Sequence, residues 1–266
     1  MDFLRDNIGW IRDIVILLST GVLTVVAVFT FLRAKETFLQ PIRSEVIKKQ
    51  SELLSRLLDR VRSNRIDDEL DYTNLVRINV YYTLKWYGFV MKDQEKAEKW
   101  ADGQLGGLLA IPKGDTVTSL EVISTFSSAQ PDDASAFERR RKDDYEGAKA
   151  GKIEIQEIRL TKKHIDYMRS LSDFIDSPFL PQKMQVLLVK INADIHKNLV
   201  GAMKASLEEF CRDLFQKHPE LGGGWDGRFH PDGVYNDFNH KRISHRADVA
   251  ALTTEIRRYL KIDSMP

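Results

Sequence analysis

"IVILLSTGVLTVVAVFTFL", Ile14 to Leu32, is the stretch whose reading decides the fold. It runs for nineteen residues without a charge. As a helix rising about 1.5 Å per residue it covers roughly 28 Å, close to the hydrocarbon thickness of a bilayer. Its Ser, Thr and Gly are tolerable there, because a helix satisfies its own backbone and small hydroxyls bond back to it. A cleaved signal peptide would need a basic leader and a small-x-small cleavage site. Here "MDFLRDNIGWIRD" mixes Asp with Arg, and the apolar run ends in Phe29, Phe31, Leu32 and Arg33. A soluble core helix seldom keeps every face apolar for five turns. The expectation is a retained transmembrane helix at 14–32.

Flanking charge sets the orientation. Upstream, Arg5 and Arg12 are diluted by Asp2, Asp6 and Asp13, whereas Arg33, Lys35, Arg43, Lys48 and Lys49 follow the span. Lysine and arginine collect on the cytoplasmic side. Residues 1–13 are therefore expected outside, and the C-terminal bulk in the cytoplasm, at the inner membrane. The whole chain carries a net charge of +1, so no global field favours nucleic acid. Cys211 is the lone cysteine and rules out an intramolecular disulfide.

Residues 33–65 read as a juxtamembrane amphipathic helix, kinked or restarted at Pro41. Leu39, Ile42, Val46, Gln50, Leu53, Leu57 and Val61 recur at 3, 4, 4, 3, 4, 4, an 11-residue period. Leu53, Leu57 and Val61 are the candidate oligomer stripe, with a basic face toward anionic lipid. The competing reading packs that helix on its own domain.

Residues 66–266 read as a helical domain. After the charged turn "DDELDY", the aromatic-rich run Tyr72 to Met91 is the central core helix, and "DQEKAEKWADGQL" a charged helix ended by "GGLLAIPKGD". "DTVTSLEVISTF" and "KIEIQEIRL" are β-prone and offer a hairpin, a small β element, on either side of a long polar excursion. Pro131-Asp132 followed by Glu154-Ile155-Gln156 is a loose match to a restriction-type nuclease core, with Gln156 where its lysine belongs. The longest soluble helix spans 182–218, its stripe passing through Leu188, Ile191, Ile195, Leu199, Ala202, Ser206 and Phe210.

"CRDLFQKH", Cys211 to His218, ends that helix. Ribonucleases of the HEPN class carry Arg-x4–6-His on a helix, and Arg212, Asp213 and His218 resemble that form. The resemblance implies a metal-independent site, with Arg212 holding phosphate and His218 moving a proton across a dimer, and nucleic acid as substrate. Against it, Pro219 follows at once, and a cationic histidine is favoured at a helix C-terminus for structural reasons alone. Six residues on a helix also separate the two by about 240°.

The tail 219–245 reads as a loop rich in glycine, histidine and aspartate. Trp225, Phe229, Tyr235 and Phe238 would dock it on the core or on a partner. Its spacings match no standard metal set, so no metal and no cofactor is expected. A last helix closes the chain near 244–260. The fold expected is thus mainly α. The function expected is a membrane-anchored, self-associating, non-enzymatic effector or scaffold with a homo-oligomeric or protein partner; the membrane-tethered ribonuclease is the alternative. One membrane helix plus a compact helical domain resembles the membrane-anchored effectors of bacterial antiphage systems in arrangement.

Overall fold

The computed structural model describes residues 2–61, 66–89, 93–111, 122–123, 134–217 and 231–262. The chain divides into two compact units, Met1–Leu53 and Leu54–Pro266. The first belongs to helix α1 (Asp2–Arg60), which continues without interruption through Pro41. A kink or a restart was expected there. Between the residues flanking Pro41 the helical assignment holds, so the missing backbone donor costs one rung and not the helix.

The expected stripe divides in two. Ile42 and Val46 are 60% and 38% exposed, whereas Leu53 is 7% and Leu57 and Val61 are 0% exposed. In this structure Leu53, Leu57 and Val61 are therefore covered by the chain itself. Leu57 and Val61 join Leu54, Ile66, Leu70 and Leu75 in the core of the second unit, which is the competing reading of that helix.

The second unit is built around α3 (Tyr72–Trp86), preceded by the single turn α2 (Ile66–Glu69). Buried Leu75, Val76, Ile78, Val80, Tyr81 and Leu84 leave α3 little free circumference, as a central core helix requires. It stops five residues short of the expected Met91. Gly88, at φ +79°, provides the left-handed turn; its N–H donates to the Lys85 carbonyl at 3.2 Å and that of Phe89 to Leu84 at 3.0 Å. This pair of bonds is the glycine-terminated C-cap.

α4 (Gln94–Gln104) leads straight into β1 (Leu105–Ala110), the middle strand of a three-stranded sheet of order β2-β1-β3. β2 (Val122–Ile123) and β3 (Glu157–Thr161) lie in the two β-prone runs, yet they do not pair with each other. Each pairs antiparallel with β1, with Leu108 opposite both Ile123 and Arg159. β1 begins with an irregularity between Leu105 and Gly107, where a Cβ on Gly106 would lie 2.7 Å from the Lys162 nitrogen. Only glycine allows so close an approach.

The polar excursion contains α5 (Ala134–Lys149). α6 (Lys162–Ile175) starts at Thr161, whose Oγ1 accepts from the His164 N–H at 3.2 Å and donates to Asp71 at 2.8 Å. Next come α7 (Gln182–Lys197), a π-helical segment (Asn198–Met203) and α8 (Lys204–Lys217), unbroken as one long helix. The buried stripe follows the sequence pattern through Leu188, Ile191, Ile195 and Leu199; of the later expected positions Ser206 is buried, while Ala202 and Phe210 give way to Met203, Leu207, Cys211 and Leu214. A π turn accommodates an extra residue, so the inward face moves toward the next position. α9 (Asp232–Lys241) and α10 (Arg246–Leu260) complete the unit. Part of the expected tail loop is thus helix α9.

Two buried asparagines hold irregular backbone against helices. Asn79 on α3 accepts from the Arg159 N–H at 2.7 Å and donates to the Arg159 carbonyl at 2.8 Å, pairing with the outer edge of β3 as a neighbouring strand would. Asn198 does the same for Ile243 between α9 and α10, at 2.6 and 2.9 Å. Asn79→Ala strands the N–H and the carbonyl of Arg159, and we expect a loss of about 2–4 kcal/mol in a chemical denaturation experiment. Asn79→Asp, which keeps the acceptor but sets a carboxylate oxygen against the Leu75 and Arg159 carbonyls, should be at least as destabilising at neutral pH.

Candidate functional site: a cleft between α3, α5 and β3

A cleft of about 370 Å³ opens where α3, α5 and the chain 154–159 meet. One face of α3 builds its inner wall. Asn79, Tyr82, Thr83 and Trp86 follow one another at i, i+3, i+4 and i+7, so the residue that clamps β3 and those that line the cleft share a stripe.

Arg159 projects from β3 across this wall. Its guanidinium lies 4.3 Å from the centre of the Tyr82 ring and 2.8 Å from the Glu157 carboxylate. Its side chain is 17% exposed. Burial lowers its pKa, and the nearby Glu157 and Tyr82 only oppose that shift. Tyr82 in turn donates to Asp102. Burial, followed by that hydrogen bond, pushes the Tyr82 hydroxyl well above its usual range and keeps it neutral.

α5 forms the opposite wall, and two arginines on it have different roles. Arg141 donates to the carbonyls of Trp86 at 2.9 Å and Lys85 at 3.4 Å, capping the C-terminus of α3. Arg140 donates to Gln156 at 2.8 Å and covers the Trp86 ring at 5.7 Å, with its side chain 58% exposed at the mouth. Trp86 itself donates to Asp144 at 3.2 Å. The cleft thus offers aromatic walls, a buried arginine and a mobile-length cation at its rim. Among the described residues the lining therefore combines aromatic and cationic groups.

Most residues singled out from the sequence lie elsewhere. Arg212 is exposed on α8; His218, Trp225 and Phe229 fall outside the described residues. The ribonuclease pair, which needs His218, therefore lies partly outside the described residues. Arg159 and His164 have the same Arg-x4-His spacing, but His164 is buried, with Nδ1 2.8 Å from the Leu70 carbonyl. Pro131 and Asp132 also fall outside the described residues, while Gln156 is occupied by Arg140. Among the described residues no group of three or more His, Cys, Asp and Glu is placed to hold a metal.

The tail aromatics that are described serve the core. Phe238 is fully buried and meets Tyr72 edge-on at 5.1 Å; Tyr235 is half-buried. Beside them His245 Nε2 lies 3.0 Å from the Tyr72 hydroxyl and 3.1 Å from Asn198 Nδ2. An amide nitrogen can only donate, so Nε2 is an acceptor and the ring is neutral. Arg242 grips Asp67 with two bonds of 2.8 Å. Burial alone would raise the Asp67 carboxyl, but Arg242 outweighs it and holds it low. The cleft was missed in the sequence because its walls come from three separate segments, with lining residues at 82–87, 140–144 and 154–159.

Comparison with protein-family models, with curated proteins and with solved structures finds no match.

Burial lowers the pKa of His164, His196 and His245. The folded protein keeps these rings neutral where the unfolded chain, with ordinary values near about 6.5, takes up protons. Stability is therefore present above that value and lost as pH falls below it. The melting temperature in detergent should drop by more than about 5 °C between pH 7.5 and pH 5.5. A flat profile across that window would show that the rings are accessible.

Proposed function

We propose that this chain is a single-pass membrane protein that presents a helical domain to the cytoplasm and acts as a self-associating, non-enzymatic scaffold or effector. The observation that carries the reading is the apolar part of α1. Its mean hydropathy reaches 2.5, and none of that window is buried by the rest of the chain. Leu17, Leu23, Phe29 and Phe31 are 67–74% exposed. Apolar surface left open on every side of five turns is unfavourable in water and favourable in lipid. The hydroxyls of Thr20, Thr24 and Thr30 each donate to the carbonyl four residues back at 2.7–2.8 Å, which suits a helix in hydrocarbon.

The basic residues after Leu32 support an orientation with the C-terminal domain inside. Self-association is assigned to Ile42 and Val46. This part of the original stripe is open to solvent, whereas Leu57 and Val61 are committed to the core. Two copies anchored in one membrane are already parallel and concentrated, which favours pairing along such a stripe.

The protein should stay with membranes after an alkaline carbonate wash, and a C-terminal reporter should be active only in its cytoplasm-dependent form. Release by the wash, or activity of an export-dependent reporter, would contradict the reading. In the same membranes, Ile42→Asp with Val46→Asp should abolish chemical crosslinking between copies without altering the wash result.

A further inference from the structure

We infer that the cleft between α3, α5 and β3 is a binding site for a small flat organic anion, with Arg159 as the anchor for its carboxylate or phosphate group. The inference does not depend on the membrane reading.

Arg159 is the starting point. A guanidinium carries five N–H donors in a planar fork. Among the described residues, the group that bonds this one is Glu157, through Nη2 at 2.8 Å, while Tyr82 covers one face. The guanidinium lines the cleft with its side chain only 17% exposed, so donors beyond the one on Glu157 have little water to bond. A buried cation held by a single carboxylate is under-satisfied, and a second oxyanion would complete it. Arg141 does not compete for this role, because its donors are spent on the end of α3.

Glu157 behaves as an internal substitute for the ligand. Its carboxylate is 43% exposed, so it can leave for solvent at little cost while Arg159 stays behind. Glu157 thereby sets the affinity: an incoming anion must displace or share it. Arg140 at the mouth adds a second positive charge that reaches an anion before it enters. It is held by Gln156 and a distant Asp144, 3.9 Å away, and both contacts are exchangeable at an exposed site.

The rest of the lining selects the body of the ligand. Trp86 and the buried Ile155 and Tyr87 give an apolar wall. A cavity of about 370 Å³ suits a molecule of one or two rings and not a chain of residues. Asp144 and Glu154 on the same lining disfavour a polyanion, so one anionic group is the fitting number.

Ligand-detected NMR titration of the full chain in detergent tests this with three probes: 4-nitrophenyl phosphate, 4-nitrobenzoate and the uncharged 4-nitrobenzyl alcohol. We expect saturable binding of at least one of the two anions, the better one identifying the head group, and no saturable binding of the alcohol. Arg159→Gln should weaken that binding by at least about tenfold, the loss of one or two charge-assisted hydrogen bonds. Glu157→Gln, which removes the internal competitor, should tighten it several-fold. Because the two variants move affinity in opposite directions, Glu157→Gln alone decides the matter if Arg159→Gln fails to fold. Saturation by neither anion, equal binding of the alcohol, or weaker binding in Glu157→Gln would overturn the assignment.

Discussion

The outer edge of β3 is closed by one side chain. Asn79 pairs with both polar groups of the Arg159 peptide, and its second amide hydrogen returns to the Leu75 carbonyl of its own helix at 2.8 Å. Both amide hydrogens and the amide oxygen are engaged while the residue is 1% exposed. A buried strand edge would otherwise carry unpaired backbone groups at a cost of several kcal/mol. The same contact fixes how far β3 lies from α3, and so how deep the cleft is. It holds the Arg159 backbone one helical turn from Tyr82, which sets the guanidinium over that ring. Cleft geometry and strand stability are consequences of a single interaction.

Asn198 repeats the device at the other end of the unit. The π segment rotates it inward, where it binds the Ile243 peptide and approaches His245 and Tyr72. The network is neutral at its centre, and its one ion pair, Arg242 with Asp67, lies at the margin with side chains 14% and 31% exposed. Neutral hydrogen-bonded groups cost less to bury than charges, so the tail is fastened without a large desolvation penalty. α9 and α10 owe their position to this knot as much as to Phe238, Val249 and Leu252.

Strong periodicity made part of this legible. The lipid-like run Ile14 to Leu32, the core helix from Tyr72 and the long helix from Gln182 each carry an unambiguous pattern. What failed was local punctuation overruled by tertiary contact. "LGGLLA" reads as a helix stop, yet its glycines permit the close approach that makes β1 the central strand. "ASAFERRRKDDYEGAK" reads as exposed loop or short helix, and the choice stays open because one helical face needs only Tyr145 and Ala148 to dock, too few to register as a stripe. The π turn shifted the inward face of α8 toward the next residue, an event that no regular spacing encodes. The cleft was illegible for another reason. Arg159, Tyr82 and Arg140 are unremarkable surface types singly, and only the Asn79 clamp assembles them.

Hydrogen exchange of individual backbone amides measures that clamp most directly. If the asparagines hold β3 and the tail as described, the N–H groups of Arg159 and Ile243 belong to the slowest-exchanging class, although neither bonds to another backbone. Asn79→Ala should then accelerate Arg159 and leave Ile243 slow, and Asn198→Ala should do the reverse. Rapid exchange of both amides in the parent protein, at the rate of exposed loop positions, would contradict the account.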